Sequence, residues 1–408
     1  MKLDNKHLIN IATDYGTPVY ILLQNVLEDY YLELERSFKT QWSNFQIAYS
    51  YKTNSLMQVC KFFHSLGAWA EVTSDLEYSM ACKLGVNGNN IIFNGPYKSN
   101  DELQKCIENK SIINIDNFEE LKRLEEICTL NRQSNIEVGI RVVSSLNIHS
   151  WDKFGFDIDN GEAQRAAEKI RSSRSMKLVA THAHFRSNIL DIVEYQRNIN
   201  ALVKFSKFLE REDLIRLKYI NIGSGIATNQ PVLSNVDEWK PPSFGEYSKV
   251  AAKCLKDNGI PTNVILIIEP GRCITSNAGL LLTRVVAIKK RGARNIIIVD
   301  AGINMIPGLP MYKYIIRPLL KTIPMETFEI HGALCEKLDV LGKVSLGQVK
   351  VDDILIVESV GAYDMAGRSF TFIRPRPPVI WVDNSKHSFM VRRRESVDDL
   401  LNIQRWII

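Results

Sequence analysis

Lys52 lies in the run Ala48-Tyr49-Ser50-Tyr51-Lys52-Thr53-Asn54, a lone cation at the end of a strand-like stretch. Far downstream come Asn221-Ile222-Gly223-Ser224-Gly225, Glu269-Pro270-Gly271-Arg272 and Cys335-Glu336. A lysine amine forms a Schiff base with an aldehyde, and a glycine turn with an arginine can hold a phosphate. A carboxylate can pair with a ring nitrogen, and a thiol can carry a proton. Pyridoxal 5'-phosphate (PLP) needs all of these partners, and few other cofactors do. The residue types therefore point to a PLP enzyme.

Each residue also has a plainer reading. A lone lysine is ordinarily a surface residue, but Tyr49, Tyr51 and Asn54 around Lys52 argue for burial. Burial lowers a lysine pKa and frees the amine to attack an aldehyde. A single Gly-x-Gly is ordinarily a turn. Ahead of a helix, though, its main-chain N–H groups can approach a phosphate. Glu269 is placed to keep a pyridine nitrogen protonated, and Arg272 to bind phosphate or a substrate carboxylate; a surface ion pair is the alternative. His182 and His184 are read as facing opposite sides of a strand. That leaves His184 to stack on the cofactor ring, with core packing as its alternative, and it removes a metal pair.

The positioning elements follow from hydrophobic pattern. Short β-branched runs start near Phe45, Ala68, Ile91, Ser111, Val138, Leu178, Tyr219 and Val264, with helical periodicity between them. Alternating strand and helix implies a parallel sheet, and eight repeats suffice to close a (β/α)8 barrel; a doubly wound open sheet is the alternative. Lys52, His184, Gly223-Ser224-Gly225 and Glu269 to Arg272 then all fall at C-terminal strand ends, the catalytic face of such a barrel. After Ser276 the strands 281–288, 295–299, 354–357 and 379–382 are separated by short turns, two of them assigned to Gly342-Lys343 and Asp352-Asp353. This predicts a mainly β second domain, joined by 18–22 from the N-terminal end.

With 408 residues the chain is long enough for two domains. No apolar run reaches the roughly 18 residues of a membrane span, and no secretory leader is expected at the N-terminus. Seven cysteines without CxxC spacing predict neither a zinc site nor a disulfide scaffold and fit a reducing cytoplasm. The net charge of +5 is mild. Its densest run, Arg392-Arg393-Arg394, is followed by Glu395, Asp398 and Asp399, a self-paired surface rather than a nucleic-acid site.

Tyr51-Lys52-Thr53-Asn54, Lys153-Phe154-Gly155, His184 with Ser187, Gly223-Ser224-Gly225, Glu269-Pro270-Gly271-Arg272, Cys335-Glu336 through Asp339, and Gly361-Ala362-Tyr363 occur in this order. The set resembles fold-type III PLP decarboxylases from about Pro18 to Leu400, diaminopimelate decarboxylases most and ornithine decarboxylases next. The resemblance implies an alanine-racemase-like barrel over 26–275. It also implies a β domain from 1–25 and 276–408 that completes the active sites of a head-to-tail homodimer. It assigns Lys52 to the PLP aldehyde, His184 to the ring face and Glu269 to the ring nitrogen. Ser187, Gly223, Ser224, Gly225, Gly271, Arg272 and Tyr363 fall around phosphate or substrate. Cys335 of the partner subunit becomes the proton donor, with Glu336 beside it reading the distal end of the substrate.

Departures from the pattern decide the expected substrate. Ser224 stands for a glycine, Glu71 for an aspartate, and Arg186 adds a cation beside the phosphate loop. In Asn304-Met305-Ile306-Pro307-Gly308-Leu309-Pro310-Met311-Tyr312, Gly308 replaces the arginine that grips the distal carboxylate in diaminopimelate decarboxylases, while Tyr312 keeps the substrate-side tyrosine. Lys313 stands where ornithine decarboxylases carry an aspartate. The expectation is an α-decarboxylase of a larger amino-acid conjugate. Glycine would open space for it, and Lys313, Arg317 and Arg186 would favour its anionic groups. The aminocarboxypropyl group of microcin C-type peptide-nucleotide antibiotics is one example. The alternatives are meso-diaminopimelate decarboxylation, a non-catalytic regulatory homologue, and a racemase, which an acid at the ring nitrogen disfavours.

Overall fold

Strict alternation along short parallel strands organises this chain. The computed structural model describes residues 3–146, 153–320, 323, 325–365 and 374–402. They group into two compact units, one of Leu32–Ala227 with Lys240–Cys273, the other of Met1–Tyr31, Thr228–Trp239 and Ile274–Ile408.

In the first unit eight strands pair in parallel, in chain order: Phe45–Ser50, Trp69–Val72, Ile91–Phe93, Ile112–Ile115, Ile136–Val143, Met176–His182, Tyr219–Asn221 and Ile265–Ile268. The last pairs with the first, Ile268 opposite Ile47, so the sheet is a closed barrel and not an open one. Ala48, Ile92, Ile112 and Ile267 cluster with Trp69, Tyr219 and Ile265 as an apolar floor. A strand repeats its facing every second residue. The positions two beyond that floor are therefore Ser50, Glu71, Asn94, Asn114, Asn221 and Glu269, all of them buried. The barrel is apolar below and polar above, and the polar layer sits at the C-terminal strand ends.

The surrounding helices bury one stripe each. Phe118–Leu130 inserts Leu121, Leu124, Ile127 and Cys128, with Asn117 capping its start. Glu162–Ser172 approaches closely through Ala163, Ala166 and Ala167. Past the third strand, Lys98 is fully buried, its Nζ donating to Gly95 O (2.8 Å), Asn114 O (3.0 Å) and Glu120 Oε1 (2.6 Å). Glu120 returns the tie by accepting from Asp116 N (3.0 Å), so one ion pair locks the exits of the third and fourth strands together.

Among the described residues the second unit forms a nine-stranded mixed sheet. Val19–Leu23 pairs antiparallel with the long strand Gly279–Arg291 and parallel with Val379–Val382. Leu8 and Ile11 of the helix Asn5–Tyr15 pack on Val19, Ile21, Leu282, Ile356 and Ile380. Four strands were not anticipated: Ile316–Pro318, Glu326–His331, Val340–Leu346 and Ser388–Arg392. Gly342-Lys343 is not a turn. It lies inside Val340–Leu346, where a register shift opposite Ile330 and His331 uses the positive φ of Gly342. No helix among the described residues is long and apolar enough to cross a membrane.

Removing one partner of a fully buried ion pair leaves an uncompensated charge. Lys98→Met is therefore expected to destabilise the protein by roughly 3–5 kcal/mol, and the double change Lys98→Met/Glu120→Leu to recover most of that loss. Urea unfolding midpoints of the two variants measure it. Equal stability of Lys98→Met and wild type would contradict it.

Candidate active site

Glu269 is the centre of the polar layer. One of its oxygens accepts from Asn94 Nδ2 and Asn221 Nδ2, both at 2.6 Å, and the other lies 3.3 Å from His182 Nε2. Burial alone would raise its pKa. The His182 ring, the Lys52 charge and the Asn221 amide outweigh that and hold the carboxyl well below the usual carboxylate range. An ionised acceptor therefore sits at the barrel mouth, as pairing with a protonated ring nitrogen requires.

Lys52 follows the first strand in the short turn Tyr51–Thr53, and its Nζ lies 3.1 Å from Glu71 Oε2. Tyr49, Tyr51 and Asn54 are buried as expected, yet the Lys52 side chain is 42% exposed. Burial of Lys52 is thus corrected: its side chain is part-exposed at the barrel mouth, and a buried carboxylate faces it. Glu71, noted only as a departure, is held by Ser50 Oγ (2.5 Å) and Asn94 Nδ2 (3.1 Å).

The assignment of His182 and His184 to opposite faces is also corrected. Residues two apart share a face, and both rings lie in the field of Glu269. Burial, then the Lys52 charge, push the His184 pKa down to about 3. The Ser224 backbone N–H donates to His184 Nδ1 (3.3 Å), which places the proton of the neutral ring on Nε2.

Gly223 and Gly225 have positive φ, and a Cβ on Gly223 would lie 2.8 Å from Ala183 O and His184 Nδ1. Glu269 N donates to Gly223 O (2.7 Å), tying this turn to the eighth strand. A Cβ on Gly271 would meet Thr53 Oγ1 at 2.0 Å, so the loop bearing Gly271 and Arg272 abuts the lysine turn. Ser187 is exposed nearby in sequence. Arg186 carries no free cation for an anionic group: its Nε and Nη2 grip Glu194 at 2.8 and 3.1 Å.

Sequence reasoning missed Asn94, Asn221, His182 and Arg141. Inward parity at the strand ends was the signal that could have found them. The Arg141 guanidinium lies 4.2 Å over the Phe154 ring, and burial lowers its pKa. Its Nη1 donates to Asn94 O (3.5 Å), and Asp116, Glu269 and Glu71 act on its charge.

Cys335, Glu336, Tyr312 and Tyr363 belong to the second unit. Cys335 is exposed beside Glu336 in a loop organised by buried Asp339, which accepts from Ile303 N (2.6 Å) and Leu334 N (2.8 Å). Buried Asp364, next to Tyr363, accepts from Tyr314 Oη (3.0 Å) and Gly308 N (3.4 Å). The segment 303–314 is thus pinned by one carboxylate near Cys335 and by another beside Tyr363. Gly308 does not open space: a Cβ there would lie 2.1 Å from Tyr314 Oη. Lys313 and Arg317 line a cleft of about 810 Å³ within this unit, where Arg317 is paired with Glu358 at 2.5 Å.

The residues of the first unit fit PLP. They offer an exposed amine, a buried ionised acceptor, a neutral imidazole, and a glycine cradle that any Cβ would fill. A family model described as the pyridoxal-binding domain of pyridoxal-dependent decarboxylases matches residues 31–276. The chain is 28% identical to diaminopimelate decarboxylase of Aquifex aeolicus over 407 residues, 97% of this chain and 93% of the relative. It is 28% identical to that of Methanocaldococcus jannaschii over 417 residues, covering 98% and 93%. A crystal structure of the M. jannaschii diaminopimelate decarboxylase with L-lysine superposes with a TM-score of 0.90 at 26% identity, covering 98% of this chain and 94% of that one. With the barrel, the site and these relatives in agreement, the chain belongs to the fold-type III family of pyridoxal-dependent decarboxylases, carboxy-lyases that use PLP.

Proposed function

We propose that this enzyme decarboxylates meso-diaminopimelate, working as a cytoplasmic homodimer whose active sites are shared between subunits. The observation that decides against a larger conjugate is Gly308. The Tyr314 hydroxyl fills the room expected for a larger conjugate, and Glu194 neutralises Arg186. Relatives that match nearly end to end bear the name diaminopimelate decarboxylase, which supports the same reading.

When bound, PLP supplies an acceptor for the electron pair released as the bond from Cα to the carboxylate breaks. In this proposal Lys52 would hold the cofactor covalently and the Glu269 carboxylate would keep its ring nitrogen protonated. Neutral His184 would pack on the ring face, where an imidazolium would repel a protonated ring. The Gly223–Gly225 turn, Gly271, Arg272, Ser187 and Tyr363 surround phosphate or substrate. The thiol of the partner subunit's Cys335 delivers its proton to Cα after carbon dioxide leaves. Glu336 and Tyr312 read the distal end of the substrate.

Meso-diaminopimelate should release carbon dioxide with a kcat/KM at least about 10²-fold above those of free ornithine and lysine, since unpaired polar groups penalise a substrate lacking the matching end. Comparable rates for all three would overturn the substrate. Gly308→Arg should not improve turnover. Overpacking against Tyr314 should instead destabilise the protein by roughly 1–3 kcal/mol, read as a lower unfolding midpoint.

Lys52→Ala should lose both carbon dioxide release and the borohydride-trapped phosphopyridoxyl label that peptide mapping finds in the wild type. A label at another lysine would sink the assignment. Cys335→Ala should keep PLP and react roughly 10²–10⁴-fold more slowly, the usual size of a lost proton donor. In a random mixture of Lys52→Ala and Cys335→Ala subunits, about a quarter of the sites should be intact by two-fold symmetry. Confirmed heterodimers without activity would place both residues in one subunit.

A further inference from the structure

The bridge between the two buried acids of the barrel mouth has no role in the mechanism above. Asn94 follows the third strand and is 2% exposed. Its Oδ1 accepts from Asn114 Nδ2 (2.7 Å), which fixes the orientation of the amide. Both N–H groups therefore face carboxylates, Glu71 Oε1 at 3.1 Å and Glu269 Oε1 at 2.6 Å. A continuous chain of polar contacts thus runs from Lys52 through Glu71 and Asn94 to Glu269, His182 and Asn221.

We propose that Asn94 is a positioning residue that couples the acid facing Lys52 to the acid assigned to the PLP ring nitrogen, donating one N–H to each and fixing the two side by side. This rests on the assignment of Lys52 and Glu269 to PLP. Two buried carboxylates in close proximity disfavour each other's charge, and one tends to take up a proton. An N–H directed at each favours both charged forms, because a donor stabilises the ionised acid over the neutral one. Lys52 brings positive charge to the pair, the His182 ring lies 3.3 Å from Glu269, Arg141 and His184 lie in the field of Glu269, and Glu77 lies in that of Glu71. Asn94 donates to both acids.

The support beneath Asn94 is as specific. Lys98 Nζ binds the Asn114 backbone carbonyl, and the Asn114 side chain fills the space above Gly139, where a Cβ would lie 2.0 Å from Asn114 Oδ1. Glycine is required there by close approach and not by backbone conformation. Gly139→Ala is therefore a second route to the same disturbance that leaves Asn94 in place.

The test compares wild type, Asn94→Ala, Asn94→Asp, Asn94→Ser and Gly139→Ala as holoproteins. Three quantities are read: the PLP dissociation constant, the pH midpoint of the visible absorbance of the bound cofactor, and kcat and KM with meso-diaminopimelate. Asn94→Ala should weaken PLP about tenfold and move the midpoint by roughly half a pH unit or more, with kcat falling and KM nearly unchanged. Asn94→Asp, a third carboxylate among two, should be worse in every reading. Asn94→Ser, which retains one donor, should recover part of the shift, and Gly139→Ala should move the midpoint as Asn94→Ala does. A merely structural asparagine would lower the unfolding midpoint and leave the cofactor's pH midpoint in place, and that result overturns the proposal. If Asn94→Ala does not fold, an unmoved midpoint in both Asn94→Ser and Gly139→Ala overturns it equally. A wild type without a visible, borohydride-sensitive band is a different failure, that of the Lys52 assignment itself.

Discussion

A buried carboxylate that must stay charged shapes this barrel. Glu269 sits above an apolar floor, where desolvation pushes toward the neutral acid, and the donors and charges around it reverse that preference. Hydrogen bonds to a charged group contribute roughly 1.5–3 kcal/mol each, enough in sum to compete with the desolvation. The donors come from two other strands, Asn94 beyond the third and Asn221 ending the seventh, and the His182 ring that ends the sixth lies 3.3 Å away. Closure of the barrel is what brings them to one point, so the protonation state of the acid is a property of the sheet and not of the residue.

The same constraint explains several features that carry no chemistry of their own. Gly139 is small because Asn114 must stand over it to orient Asn94. The Lys98–Glu120 pair, costly to bury, fixes the strand exits from which Asn94 and Asn114 project. Gly223 bends back so that its carbonyl meets the Glu269 N–H while Ser224 sets the His184 tautomer. Each helps to keep two buried acids and a neutral imidazole within one barrel mouth.

The second unit uses buried carboxylates differently. Asp339 and Asp364 accept from backbone N–H groups and a phenol. Their work is to hold the segment 303–314 at fixed separations from the Cys335 loop and the Tyr363 turn. Gly308 is explained by that packing: it is glycine because Tyr314 needs the space, which removes the reason for expecting an enlarged substrate pocket.

Much of this was legible without coordinates. The eight strand runs, the β-rich second half and the lysine, glycine and acid motifs depend on local pattern and residue type, which a linear chain displays directly. Lys52, Gly223 and Glu269 at strand ends follow from where apolar runs stop. What alternation would have shown, the shared facing of His182 and His184, was misread, and the parity of Asn94 and Asn221 went unused. The exposure of Lys52, the capture of Arg186 by Glu194, and the Tyr314 hydroxyl above Gly308 could not be read at all. Each depends on which atoms from distant parts of the chain occupy the same few ångströms. A sequence states which groups are available to pair, donate or fill; the closed barrel and the packed sheet decide which of them meet.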